Sequence, residues 1–191
     1  MRREVSPAKF EQEVQNNPLP DEMMLFLDKD IAHYQTLPNN LAFCTAVDPA
    51  SSMDPDADET VILTSGTDKE GNIYVAEVTH GHFFPDEVAE HIFRHHQTWK
   101  SHTVGIETNG FQTLKWYIET EIRKRHKSIP TQELKSGNTL DAKHRRIMAL
   151  QPYIKLGQIL FHKSQEPLIT QLTNYPGKHD DQVDALAYIL E

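Results

Sequence analysis

The sequence is poor in the features that would point to secretion or to a membrane. Cys44 is its single cysteine, so no disulfide can form within the chain. No apolar run approaches the ~20 residues that a membrane-spanning helix needs. The first residues include Arg2, Arg3 and Glu4 and lack the apolar stretch of a secretory signal. We therefore expect a protein of a reducing compartment, the cytoplasm.

The sequence also lacks an excess of positive charge. Its formal net charge is −9, whereas proteins that bind nucleic acid usually present a basic surface. Basic residues do cluster at 123–127 and 143–146, although the ordinary explanation of such clusters is a solvated helix face. The net charge argues against a nucleic-acid partner unless a specific motif outweighs it. Carboxylates clustered to bind divalent cations would account for part of the negative charge.

The composition predicts one folded domain. The chain has 191 residues, of which 38% are hydrophobic and 25% charged, as in ordinary globular proteins. Residues 1–38 are rich in polar residues and proline, and we predict a linker or arm there, with short helices near 7–15 and 21–33 and no strand. Residues 39–191 are predicted to form the compact domain.

The order of predicted elements within that domain defines its fold class. Three β-prone runs separated by turns predict an antiparallel meander: 41–47, 59–65 and 73–79. Helices and strands then alternate: 85–99, 103–107, 110–127 and 129–134. The last segments are predicted to be a helix, an extended run, a helical turn and a terminal helix: 140–150, 157–161, 167–173 and 179–190. This order predicts an α/β fold in which a mixed sheet, the meander plus parallel strands, is flanked by helices.

Acidic residues stand at the ends of two apolar strands and at the start of the last helix. Asp48 ends the first strand, Glu107 ends the fourth, and three aspartates open the terminal helix: Asp180, Asp181 and Asp184. If the two strands are neighbours and the helix packs across them, these carboxylates converge. Converging carboxylates repel one another unless a cation lies between them, and hard oxygen ligands select Mg²⁺ or Mn²⁺. Two such ions hydrolyse phosphodiesters without a protein nucleophile.

Each acidic position also has an ordinary explanation. Asp48 precedes Pro49 and is typical of a turn, Glu107 enters a polar loop, and aspartates at a helix start are favoured by the helix dipole. Their joint order favours the metal site. The helical angle of about 100° per residue leaves the third ligand open, because Asp184 borders the buried face whereas Asp181 points farther round but lies in the first turn.

The histidines raise the separate hypothesis of a zinc site. The chain has eleven, including His91 and His95 four residues apart, with His96 beside them and His80 and His82 just before the helix. Zinc needs three or four converging ligands. No cysteine pair is present and no glutamate follows His91 as in the metalloprotease motif, so the sequence does not favour zinc.

Four segments taken together resemble the nuclease motifs of tailed-phage large terminase subunits: residues 43–50, 58–62, 104–110 and 177–186. The N-terminal residues 3–13 also resemble the segment that follows the packaging ATPase in such proteins. The resemblance implies a ribonuclease H-like fold, related to Holliday-junction resolvases. It also implies an endonuclease that cuts concatemeric viral DNA at the start and end of packaging.

The resemblance implies a role for each acid by its position. Asp48 matches the first-strand metal ligand, Glu107 the fourth-strand acid and Asp181 the third acid. Asp184 matches an additional ligand seen in some relatives, and Asp180 is a further candidate. Lys143 resembles a basic element near the scissile phosphate. The implied cofactors are two Mg²⁺ or Mn²⁺ ions.

The resemblance also implies partners, and one motif of the family is missing. The implied partners are double-stranded DNA, the packaging ATPase domain, the small terminase subunit and the portal, in the host cell cytoplasm. The phosphate-binding loop of the packaging ATPase does not occur among the scattered glycines. We therefore expect no ATP hydrolysis by that route, and a truncated domain or a separately encoded fragment.

Two other functions remain open at this point. One is another ribonuclease H-like nuclease, such as a junction resolvase or a transposase-like enzyme. The other is a catalytically silent module that docks onto a packaging machine.

Overall fold

The computed structural model describes residues 24–50, 52–54, 56–135 and 140–191. The strands are β1 (Ala32–His33), β2 (Ala42–Asp48), β3 (Thr60–Thr67), β4 (Ile73–Gly81), β5 (Thr103–Glu107), β6 (Thr131–Leu134) and β7 (Ile159–Phe161). The helices are α1 (Pro85–Trp99), α2 (Thr108–Arg125), α3 (Leu140–Met148), α4 (Leu150–Lys155), α5 (Glu166–Thr173) and α6 (Asp181–Ala187). Short 3₁₀ turns lie at Asp28–Asp30, Lys163–Gln165 and Tyr188–Leu190. None of the helices in these ranges is long and apolar enough to cross a membrane.

The strands form one mixed sheet in the order β1-β7-β4-β3-β2-β5-β6. Strands β2, β3 and β4 form the antiparallel meander that the sequence predicts. β5 runs parallel to β2 and β6 parallel to β5, while β7 runs parallel to β4 on the other side. The predicted fold class is therefore confirmed. The strands that end in Asp48 and Glu107 are adjacent in the sheet, as predicted.

Alternation along the strands divides the core into two layers. Val47, Ile62 and Ile106 point to one face and pack with α1 and α2. Val61 and Leu63 point to the other face, where α3, α5 and α6 complete the core. Since Asp48 and Glu107 each follow a residue of the first face, their side chains belong to the second face, the one that α6 covers.

The helix α1 and the strand β5 occupy the predicted ranges. Pro85 opens α1, where its missing N–H costs nothing, and the Glu87 carboxylate accepts a hydrogen bond of 2.8 Å from the Phe84 N–H. The apolar residues of α1 recur at helical spacing and are buried against the sheet: Val88, Ala89, Ile92 and Phe93.

Two predictions at the C-terminal end needed correction. The predicted helix 140–150 ends at Met148, and a second helix continues to Lys155, so it is two helices rather than one. The predicted terminal helix 179–190 is α-helical over Asp181–Ala187 and then tightens into a 3₁₀ turn. The segment 167–173 lies within α5, as predicted.

The prediction for the N-terminal part was wrong over its described residues. The helix near 21–33 is replaced, from residue 24 onward, by a 3₁₀ turn and β1, although no strand was expected before residue 39. The reason is a long-range pairing: Ala32 and His33 pair in parallel with Leu160 and Phe161. Phe26 is 1% exposed and packs in the core of the second face. Phe26 and residues 32–33 of the predicted arm therefore pack on or pair with the sheet, and the boundary between residues 38 and 39 stays a prediction.

The short helix predicted near 7–15 lies outside the described residues.

Candidate active site

Asp48 and Glu107 lie side by side at the carboxyl ends of two parallel strands. Val47 and Ile106 are register partners, and the two acids are the next residue on each strand. Neighbouring strands are ~4.8 Å apart, which brings the two backbones as close as a sheet allows. Glu107 is 5% exposed, and Asp48 is half-buried between β5 and its antiparallel partner Val61.

The helix α6 brings two more carboxylates over this edge. It packs against β2 and β3, and its residues Val183 and Leu186 are fully buried in the core. The same helix carries Asp181 and Asp184, which are 5% and 6% exposed. Burying carboxylates at this level is costly unless charge or hydrogen bonds compensate them. The structure therefore brings all four acids predicted for the site to one face of the sheet.

The acids act on one another electrostatically. Burial raises the pKa of Asp48 to about 8, and the negative charges of Asp184, Glu107 and Asp181 add to that rise while Lys143 opposes it. Burial also raises the pKa of Asp181, although a hydrogen bond of 3.1 Å from the Glu59 N–H to its Oδ2 acts in the opposite direction. Burial is the larger cause of both rises, and for Asp48 the charges of the three neighbouring acids add the repulsion expected of converging carboxylates.

Two cations of α3 compensate part of this charge. The Lys143 Nζ lies 2.7 Å from Asp180 Oδ1 and 3.5 Å from Asp184 Oδ2. The Arg146 guanidinium donates to Asp184 Oδ1 from Nε at 3.0 Å and from a terminal nitrogen at 2.5 Å. Burial alone would lower the pKa of Lys143, but Asp180 and Asp184 raise it well above its usual range.

The carboxylates do not form a ready coordination shell. Within the described residues, no three histidine, cysteine, aspartate or glutamate side chains lie close enough together to hold one metal ion. Asp184 is turned toward α3, and Asp181 toward the Glu59 N–H. The donor set of hard carboxylate oxygens fits Mg²⁺ or Mn²⁺ in its chemistry. Ligation would require side-chain rotations toward a common point between Asp48, Glu107 and α6.

Arg146, Tyr188 and Tyr175 also lie at or near the acidic group, and the sequence pattern indicates only a basic cluster at 143–146. The Tyr188 ring lies 4.1 Å from the Arg146 guanidinium carbon and is 3% exposed. The Tyr175 hydroxyl lies 2.9 Å from His144 Nδ1 on α3. Helical spacing gave a usable signal, because Arg146 is one turn after Lys143 and Tyr188 one turn after Asp184.

His95, one of the histidines of α1, packs against the sheet and forms hydrogen bonds to two of its threonines. Its ring nitrogens lie 2.8 Å from Thr64 Oγ1 and 2.9 Å from Thr79 Oγ1, and the side chain is 0% exposed. Burial lowers its pKa to about 4, so it is neutral over most of the physiological range. Because both ring nitrogens are hydrogen-bonded to threonines of the sheet, His95 has a structural role in this arrangement.

Solved structures of similar fold include phage large terminases and their nuclease domains. The large terminase nuclease from thermophilic phage G20c has a TM-score of 0.60 at 14% identity, covering 83% of this chain and 90% of that one. The Thermus phage P74-26 large terminase nuclease domain has a TM-score of 0.54 at 18% identity, covering 83% and 87%. The HK97 bacteriophage large terminase has a TM-score of 0.58 at 9% identity, covering 86% of this chain but 42% of that one. At these identities the likeness shows the fold.

The sequence itself decides the family. No curated protein sequence matches the chain. The family model described as the terminase RNase H-like domain matches residues 45–191, which include Asp48 at the end of β2, β5 with Glu107 and the whole of α6. The chain therefore belongs to the terminase RNase H-like domain family.

Proposed function

We propose that this domain is a metal-dependent endonuclease that cuts double-stranded, concatemeric viral DNA during genome packaging. The observation that carries the proposal is the side-by-side position of Asp48 and Glu107 at the ends of β2 and β5, beneath the aspartates of α6. A docking surface gains nothing from carboxylates that raise one another's pKa, whereas a site for divalent cations requires them.

The chemistry proposed is two-metal phosphodiester hydrolysis. Bound Mg²⁺ or Mn²⁺ would lower the pKa of a water and stabilise the leaving oxygen. Asp48, whose pKa is raised by the charges of Glu107 and Asp181, would hold the ions together with those two acids. Asp184 would support them, while Arg146 compensates part of its charge.

Lys143 is proposed to contact the DNA. Its ammonium lies within the acidic group, paired with Asp180 and close to Asp184. A cation in this position can exchange a carboxylate for a substrate phosphate and help neutralise the charge that develops there. The resemblance to the basic element near the scissile phosphate in large terminases supports this role.

The proposed partners are those that the resemblance to large terminases implies. They are double-stranded DNA, the packaging ATPase domain, the small terminase subunit and the portal, and the proposed location is the host cell cytoplasm. The sequence contains no phosphate-binding loop, so we do not attribute ATP hydrolysis or DNA translocation to these residues.

One observation favours the alternative of a catalytically silent docking module. Within the described residues no three potential ligands converge closely enough to hold an ion. The two functions differ in a direct way, because the silent module cuts no DNA with any divalent metal, whereas the proposed nuclease does.

The test is cleavage of supercoiled and linear plasmid by the purified chain with Mg²⁺, with Mn²⁺ or with EDTA. We expect cleavage with either metal and none with EDTA, and we expect Asp48→Asn to abolish it while circular dichroism stays unchanged. Glu70→Gln, at an exposed acid in the β3–β4 turn, is the matched control and should cleave normally. Full activity of Asp48→Asn would refute the proposal, and a strong preference for four-way junctions over duplex would favour a resolvase.

A further inference from the structure

A cavity of about 490 Å³ with both apolar and polar lining opens beside the acidic group. Its walls come from the chain before β3, the end of β4, α5 and the connection from α5 to α6. Asp181 lines the cavity and also belongs to the candidate metal centre. A molecule in the cavity would therefore lie directly against that centre.

The wall is rich in groups that donate hydrogen bonds. Lys178 supplies a full positive charge, and the wall also carries three imidazoles: His80, His82 and His179. One ring nitrogen of His80 lies 2.7 Å from Glu59 Oε2 and one of His82 lies 3.3 Å from the Ala57 carbonyl oxygen, so within the described part of the chain each of these two rings has its other nitrogen left for a ligand. Among the described lining residues the acids are Glu59 and Asp181, and each is already engaged. The Glu59 Oε2 lies 2.7 Å from His80 Nδ1, and Asp181 Oδ2 accepts from the Glu59 N–H. The cavity thus places one ammonium and imidazole groups beside apolar surface and two hydrogen-bonded carboxylates, a lining that fits a ligand with a single phosphate and a flat ring that bears hydrogen-bond acceptors.

The size of the cavity selects the form of that ligand. Its volume lies within the ~300–1,000 Å³ range of small-molecule sites, which suits one nucleotide and is too small for a section of duplex. A phosphodiester supplies the negative charge and a base supplies acceptors and an apolar face. Pro167 offers an apolar surface on the wall of α5.

We propose that this cavity binds one nucleotide of the substrate strand, adjacent to the phosphate that is cut, after that nucleotide has left the helical stack. The inference rests on the proposed function and adds to it a requirement for local unpairing, because a stacked nucleotide in duplex DNA cannot enter a concave site. Lys178 and His179 contact the nucleotide's phosphate and sugar side, and His82 contacts the base.

Binding without cleavage tests the inference separately from the proposed function. The protein carries Asp48→Asn, the buffer contains EDTA, and the probes are thymidine 5′-monophosphate and fluorescein-labelled hexathymidylate. We expect the double variant His82→Ala/Lys178→Ala to weaken the binding of both probes about fivefold or more. His80 is left intact, since its loss would release Glu59 and through it Asp181.

The matched control is Lys155→Ala, which removes an exposed lysine of α4, away from the cavity lining. Equal weakening by Lys155→Ala, or the same loss of affinity for a blunt duplex, would show a general charge effect and overturn the inference.

A second measurement does not depend on whether the double variant folds. It follows the NMR chemical shifts of the backbone amides in the protein without the double substitution as thymidine 5′-monophosphate is added. They should centre on residues 80–82 and 177–182, and shifts elsewhere would overturn the inference. If the probes bind as expected but the chain without Asp48→Asn cleaves no DNA with either metal, the cavity inference is retained and only the proposed nuclease function is refuted.

Discussion

Arg146 and Asp184 form an ion pair that joins α3 to α6, with both side chains 9% exposed. Two nitrogens of the guanidinium bind the same carboxylate oxygen, at 3.0 and 2.5 Å. The opposite carboxylate oxygen lies 3.5 Å from Lys143. Asp184 thus connects α6, which carries the acids, to α3, which carries Lys143 and Arg146.

The first prediction concerns this pair. Arg146→Ala leaves Asp184 poorly compensated at a nearly buried position and removes the cation over Tyr188, so we expect the free energy of unfolding to fall by about 2–4 kcal/mol. Urea unfolding of the purified chain measures this. Arg145→Ala, at the exposed neighbouring residue, should change stability by less than about 0.5 kcal/mol. Equal stabilities for the two variants would contradict the assignment.

The second prediction is that removing the Asp48 charge stabilises the metal-free protein. The folded-state pKa of Asp48 is about 8 against an ordinary 3.8, so the folded chain binds a proton more tightly than the unfolded chain. Ionising this group therefore costs stability, and the cost grows as the pH rises from about 4 to about 8. We expect Asp48→Asn to raise the stability in EDTA by several kcal/mol at pH 8 and by much less at pH 4.5.

Thermal unfolding across this pH range provides the measurement. Mn²⁺ should raise the midpoint of the parent protein and should raise that of Asp48→Asn much less. A parent protein that is more stable than Asp48→Asn in EDTA at pH 8 would show that the acids do not repel one another as described.

The sequence was most informative where local pattern and tertiary structure agree. The helix α1 and the strand β5 follow from residues that are adjacent along the chain, since Pro85 marks the start and apolar spacing marks the buried face. The position of Asp48 beside Glu107 also followed, because the ends of neighbouring parallel strands meet at one edge of a sheet.

Other parts depend on distant residues and leave little local signal. The strand β1 has two residues and exists because Ala32 and His33 pair with β7, more than a hundred residues later. The pairing of Asp184 with Arg146 spans two helices and turns the carboxylate toward α3. Whether each acid ligates a metal remains a prediction, because spacing along the chain does not fix side-chain rotation.

The third prediction concerns His95. Burial lowers its pKa to about 4 from 6.5, so the unfolded chain takes up a proton before the folded chain does as the pH falls. The stability contributed by the neutral ring is complete above pH 6.5 and is lost as the pH falls from there toward 4. Asp48 has the opposite pH dependence but contributes equally to the parent and to His95→Gln, so we expect the stability of the parent relative to His95→Gln to fall by about 2–3 kcal/mol between pH 7.5 and 4.5. Urea unfolding of both proteins at the two pH values measures this difference, and exposed His102→Gln should keep the pH dependence of the parent.

The fourth prediction separates two effects of Lys143. Its ammonium opposes the negative charge around Asp48 and pairs with Asp180, so replacing it leaves a more negative site. We expect Lys143→Met to bind Mn²⁺ about threefold more tightly in the absence of DNA, since a competing cation has gone. We also expect it to cleave plasmid at least about tenfold more slowly, since the phosphate loses its proposed contact. Titration calorimetry and cleavage rates measure the two effects. Lys155→Met should change neither, and a Lys143→Met protein that loses both Mn²⁺ affinity and cleavage would indicate that Lys143 only maintains the structure of the site.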